Sequence, residues 1–200
     1  MVSADNNLGE LALETRYDVL NQKEDPVGVI AARMPLVASQ AGVWEGEYVH
    51  LDAEHNVIDR HRSRLVCRLF DGDDGKARLA QSNIYDWPDA TREIRYFDGV
   101  FREDRVWFDN ENILGWTGAI TLDDTNRTIM VGWVRAGEPD FRYYEMITVA
   151  EDGNAKNRTW HWYRKGRLFQ RTIINEVRVS REWEPYDDDS YYTFRPRAAI

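Results

Sequence analysis

Gly42-Val43-Trp44-Glu45-Gly46-Glu47-Tyr48-Val49-His50, read with residues 60–70 that follow it, has the alternation of a β-hairpin. A tip at His55 and Asn56 sets Trp44 opposite Cys67, Gly46 opposite Leu65, Tyr48 opposite Ser63 and His50 opposite His61. Successive strand side chains face opposite ways, so these eight residues share one side of the ribbon. The other side carries Glu45, Glu47 and Val49 against Val66, Arg64 and Arg62, the pattern of a solvated surface. The inward side grades from a bulky apolar end, through Tyr48, to two histidines rimmed by Asp52 and Asp59. A β-barrel with a closed floor and a polar mouth has this gradient.

Working outward, turn signals recur at 71–75, 87–91, 102–105, 123–126, 136–140, 151–157 and 164–167. Between them lie alternating segments at 77–86, 92–101, 106–109, 112–122, 128–135, 141–149, 158–164 and 168–179. With the opening hairpin these make about ten strands, an all-β, antiparallel up-and-down barrel; a two-sheet sandwich is the alternative. Upstream, Val27, Ile30, Ala31, Met34, Ala38 and Ala41 recur at helical spacing behind Pro26, and Pro35 is expected to kink or split that helix. Residues 1–25 form a polar segment with weak helical character. Residues 26–180 form the helix-plus-barrel domain. Residues 181–200, acidic and rich in aromatic rings, read as an arm that packs over the barrel or onto a second copy, making a homo-oligomer.

The 200 residues carry a net charge of −9, against a nucleic-acid partner, which needs a concentrated basic surface. Arg60, Arg62, Arg64 and Arg68 do cluster, but opposite Glu45 and Glu47, where ion pairs on an outer face account for them. Eight Trp and ten Tyr suit a cavity wall as well as a core. Cys67 is the single cysteine, so no intrachain disulfide is possible. The start, MVSADNNLGE, lacks a basic-then-apolar leader, and no run is long enough to span a membrane as a helix. A soluble cytoplasmic protein without a membrane partner is the expectation.

Gly42 to Trp44 opening the first strand after a short helix resembles the calycin superfamily, which includes lipocalins and fatty-acid-binding proteins. The resemblance covers roughly residues 26–180. Residues 43–48, 59–69 and 158–172 are similar to a calycin-like bacterial family mostly without assigned function. The resemblance implies a cavity for a small apolar or aromatic molecule. It also implies that an arginine on a late strand, Arg171 or Arg178, packs across the Trp44 indole.

Nucleotide-binding glycine loops, a nucleophile elbow and a His-Glu-x-x-His motif are all absent, so no cofactor is expected. Proton chemistry therefore falls to side chains. His50 and His61, with Cβ atoms about 5 Å apart in this register, lead the candidates; hydrogen bonds to Asp52 and Asp59 at the rim are the structural alternative. A zinc site from the two histidines and one aspartate lacks a third histidine, and no metal is expected. Glu145, on a face with Phe141, Tyr143, Ile147 and Val149, must pair with a cation such as Arg171 or stay protonated. Gln81, Asn83 and Tyr85 alternate along one strand and suit a polar substituent. On 158–164 either Thr159–His161–Tyr163 or Trp160–Trp162 can point inward.

These residues suggest a cofactor-independent lyase or isomerase acting on a small aromatic or phenolic compound, by dehydration or release of formaldehyde. His50, His61, Glu145 and Arg171 would move protons; Trp44, Tyr48, Gln81, Asn83, Tyr85 and Tyr143 would hold the ligand. The alternative is a lipocalin-like carrier in which the same ionisable groups only orient what is bound.

Overall fold

The computed structural model describes residues 26–110, 113–120 and 127–186. Ten antiparallel strands follow the chain in order: β1 (Gly42–Asp52), β2 (Val57–Asp71), β3 (Ala77–Asp86), β4 (Arg92–Arg102), β5 (Arg105–Asp109), β6 (Ile113–Ile120), β7 (Thr128–Arg135), β8 (Glu138–Val149), β9 (Ala155–Arg164) and β10 (Arg167–Ser180). Each pairs with its successor, and β10 returns to β1, so the sheet is a closed up-and-down barrel and not a sandwich. No helix among the described residues is long and apolar enough to cross a membrane.

Alternation sets the interior. On β8, Phe141, Tyr143, Glu145, Ile147 and Val149 are all buried while Tyr144, Met146 and Thr148 face out. On β9 the inward set is Lys156, Arg158, Trp160 and Trp162, which settles the open face of that strand in favour of the tryptophans. The helix ahead of the barrel is split, as Pro35 requires, into α1 (Pro26–Arg33) and α2 (Pro35–Ala38). Val29, Ile30 and Val37 of these helices, with Met34 between them, pack with Ala77, Leu79, Phe101 and Val106 and close one end of the barrel. A second core cluster is aromatic, built on Trp44, Tyr48, Tyr85, Tyr143, Trp160 and Trp162.

The opening hairpin keeps its predicted faces but not its predicted register. Trp44 pairs with Leu65, Gly46 with Ser63, Tyr48 with His61 and His50 with Asp59, two residues from the expected partners. The turn explains this. Asp52 accepts the backbone N–H of Glu54 at 3.0 Å and of Asn56 at 2.8 Å, closing the loop around Glu54 rather than at His55 and Asn56. A bulge between His50 and Leu51 then absorbs one residue. Because the net slip is even, no side chain changes face.

Close backbone approach dictates glycine at two positions of β1. Gly42 has φ +119°, and a Cβ on Gly46 would stand 2.4 Å from the Asn175 carbonyl oxygen across the β1–β10 seam. Trp44, between them, is fully buried and donates its indole N–H to the Gln40 carbonyl at 2.9 Å. Arg178, one of the two predicted arginines, lies over that indole at 4.0 Å and also donates to the Ala41 carbonyl. The segment expectation for residues 1–25, the turn at 123–126 and most of the C-terminal arm lie outside the described residues. What is described of the arm includes a 3₁₀ turn, Glu184–Tyr186, whose Tyr186 ring meets the Arg64 guanidinium at 5.9 Å.

Candidate functional site

Inside the barrel lies a cavity of about 90 Å³. One wall is apolar, with Leu79, Phe97, Phe108, Ile129 and Val131; the other is polar, with Gln40, Gln81, Asn83, Glu145, Lys156 and Arg158. Tyr143, Trp133 and Trp160 also line it. Phe97, Phe108, Trp133 and Gln81 are only half-buried.

The polar wall is organised by Arg158, which β9 places among the barrel's carboxylates. Its Nε donates to Glu145 Oε1, and its Nη1 donates to Tyr48 Oη at 2.9 Å and Glu176 Oε1 at 3.0 Å. Tyr143 donates its hydroxyl to the other Glu145 oxygen at 2.8 Å. Lys156 Nζ stands 3.3 Å from Glu176 Oε2 and donates to Gln40 Oε1 at 3.2 Å. Two buried cations thus meet two buried carboxylates, the condition for keeping any of them inside a core. Burial works against the Arg158 cation, but Glu145, Tyr48 and Glu176 offset it and hold the guanidinium firmly charged. Burial also lifts Tyr48 and Tyr143 well above the usual phenol range, so both remain neutral donors.

Along β2 and β3 a chain of side chains runs from the cavity toward the mouth. Cys67 Sγ donates to Gln81 Oε1 at 3.3 Å, Gln81 donates to Asn83, and Asn83 donates to Tyr85 Oη at 2.8 Å. Burial pushes the Cys67 thiol up. We expect a bulky aromatic disulfide reagent at pH 8 to modify Cys67 only through opening of the barrel. Its rate should fall roughly three orders of magnitude or more below that in denaturant, given a native stability of ~5 kcal/mol or above. Equal rates, followed by absorbance, would mean that the cavity admits the reagent.

The histidines form a separate group at the mouth. Their rings are stacked with centroids 5.3 Å apart, on the same side of the sheet. His61 Nδ1 lies 2.6 Å from Asp59 Oδ2, and Trp87 donates its indole N–H to Asp59 Oδ1 at 2.9 Å. His50 Nδ1 meets Thr172 Oγ1 at 2.8 Å and Gln170 Nε2 at 2.7 Å. Burial, together with the neighbouring His61, pushes His50 down to about 4; burial also lowers His61, against the pull of Asp59. Both are neutral imidazoles at pH 7. The Tyr48 ring stands between this group and the cavity, stacking on His61 at 5.1 Å while its hydroxyl meets Arg158.

The predicted residues therefore divide. Gln81, Asn83, Tyr143 and Glu145 line the cavity; Trp44, Tyr48 and Tyr85 are buried beside it without lining it. His50 and His61 come together, diagonally rather than face to face, but do not line the cavity. Arg171 is displaced from its expected place. It lies on the outer face of β10, whose inward residues are Thr172, Ile174 and Glu176, and its guanidinium meets the His55 ring at 3.0 Å. Strand parity is the reason: one residue from Thr172, Arg171 cannot reach Glu145, and Arg158 takes that role.

Lys156, Arg158 and Glu176 were missed by the sequence reading. Glu145 itself held the signal: a carboxylate on an apolar face demands a cation, and β9 pairs Trp160 with Glu145 and Arg158 with Ile147. Lys156 was hidden because β9 begins inside the stretch 151–157 read as a turn.

No family model matches the chain, and no curated protein matches it. Solved structures do. A protein of unknown function from the DUF3598 family of Nostoc punctiforme is 15% identical with a TM-score of 0.56; the match covers 72% of this chain and 49% of that one. This chain thus spans about half the length of that protein. The S-type phycobiliprotein lyase CPES from Guillardia theta is 12% identical with a TM-score of 0.55, covering 72% of this chain and 90% of that one. At these identities the likeness is one of fold.

Proposed function

We propose that this calycin-like barrel binds a single-ring aromatic molecule bearing a hydrogen-bonding oxygen, in the cytoplasm. One observation carries the reading. Trp160 lines the cavity and is buried, yet among the described residues its indole N–H has no acceptor. A buried donor left unpaired costs about 1–3 kcal/mol, and a ligand oxygen in the cavity would remove that cost. The cavity is smaller than the roughly 150 Å³ that admits benzene, so the reading requires the half-buried Phe97, Phe108 and Trp133 to shift outward when the ring enters. The ligand ring would lie on the apolar wall, and its oxygen would face Trp160, Asn83 or Gln81.

Isothermal titration of the full chain with phenol and methoxyphenols, beside cyclohexane carboxylate and a long-chain fatty acid, tests this. Phenols should bind saturably at one site, and Trp160→Phe should weaken them about 3- to 10-fold, the worth of one net hydrogen bond. Preference for the fatty acid, or indifference to Trp160→Phe, would overturn the proposal.

A second reading, a cofactor-independent lyase or isomerase on a phenolic substrate, is favoured by the Asp59–His61 pair. With Nδ1 engaged by Asp59, His61 Nε2 carries the ring's lone pair with no partner among the described residues, the arrangement of an oriented general base. Glu145 suits that reading poorly, since Arg158 and Tyr143 already occupy both its oxygens.

A further inference from the structure

The mouth of the barrel gathers a donor set that binding of a ligand in the cavity does not require. His50, Asp59 and His61 each offer one ligand atom, and these atoms all lie within 4.8 Å of one another. We propose that this triad binds a divalent transition metal, with zinc as its reference ion.

The distances suit such an ion. Zinc holds nitrogen and oxygen at about 2.0–2.2 Å, so tetrahedral ligands lie roughly 3.3 Å apart. Asp59 Oδ2 is 2.6 Å from His61 Nδ1 and 3.9 Å from His50 Nε2, on either side of that value. Small side-chain rotations bring all three to coordination distance. Metal at His61 Nδ1 takes the place of the proton now shared with Asp59, and the neutral imidazole carries its proton on Nε2 instead.

The supporting shell is already built. Trp87 fixes the second Asp59 oxygen. Thr172 Oγ1, which accepts the Trp162 indole N–H at 2.9 Å, also meets His50 Nδ1. With the Gln170 amide turned so that its oxygen faces the ring, His50 donates Nδ1–H to these groups and frees Nε2 for the metal. Two neutral imidazoles and one carboxylate favour zinc, cobalt, nickel or copper over magnesium or calcium. Arg95 is the cation that faces the pair, and it is itself ion-paired with Glu93 at 2.6 Å. The Asp59 side chain is 37% exposed and that of His50 14%, so an ion can enter from solvent. Three protein ligands leave the fourth position of a tetrahedral ion open to water or an anionic ligand.

The test is isothermal titration of chelator-treated full-length protein with zinc chloride. One equivalent should bind, and His50→Ala, His61→Ala and Asp59→Asn should each weaken it at least about tenfold. His55→Ala, on the outer rim, should leave it unchanged. Because a variant can fail to fold, the zinc K-edge spectrum of the wild-type protein gives a second reading: two imidazoles and oxygen are expected in the coordination shell. Absence of stoichiometric binding, binding undiminished in the three variants, or a spectrum without imidazole would each overturn the proposal.

Discussion

Exchanging Arg158 for methionine is expected to destabilise the barrel by about 3–5 kcal/mol, the loss that follows when one partner of a buried ion pair is removed. The reason is specific to this interior. Glu145 is 4% exposed and Glu176 2%, so neither carboxylate can replace the lost guanidinium by turning to water. Glu176 keeps Lys156 at 3.3 Å, but among the described residues Glu145 keeps only the Tyr143 hydroxyl. Urea denaturation of the variant should show the loss as a lowered midpoint with an unchanged slope. Adding Glu145→Gln should return part of it, because an unpaired amide costs less to bury than an unpaired carboxylate. The cycle would then show a coupling between positions 145 and 158 of at least ~1 kcal/mol. If Arg158→Met alone falls within about 1 kcal/mol of the wild type, hydration in the cavity rather than the guanidinium stabilises the carboxylates. The polar wall would then be wet and poorly fixed.

How far the interior was legible from sequence depended on what each residue's signal had to cross. Strand alternation is local, so the inward faces of β1, β3 and β8 were legible, with Tyr48, Asn83 and Glu145 all on the correct side. Hairpin register is set by turn chemistry, and Asp52 closing its loop on Asn56 moved the partners of Trp44, Gly46, Tyr48 and His50 by two residues. That error was harmless to the faces but separated His50 from His61 along the strands and brought Asp59 between them. The partner of Glu145 was the hardest feature. It depends on strand parity 13 residues away, and both Arg158 and Arg171 satisfy composition equally. Whether the mouth and the centre form one site or two was not legible at all, because the Tyr48 ring that separates them is a fact of packing.

Replacing Trp44 should be nearly as costly, and in a graded way that separates its roles. Trp44→Ala deletes a fully buried indole and should cost about 3–5 kcal/mol. It also strands two cations that lie over the ring, Arg178 at 4.0 Å and Lys156 at 4.1 Å. Each such contact is worth up to about 2 kcal/mol when desolvated, within rather than beyond the truncation cost. Trp44→Phe keeps an aromatic face for both cations and loses the hydrogen bond to the Gln40 carbonyl, so it should cost about 1–3 kcal/mol. Both Gln40 and Lys156 line the cavity, and each is tied to Trp44, one by a hydrogen bond and one through the ring. Trp44→Ala should therefore also abolish binding of a phenol under conditions where the variant is still folded by circular dichroism, while Trp44→Phe retains it. Equal losses in the two variants would assign the effect to the indole N–H alone, and a loss confined to stability would detach the floor of the barrel from its guest.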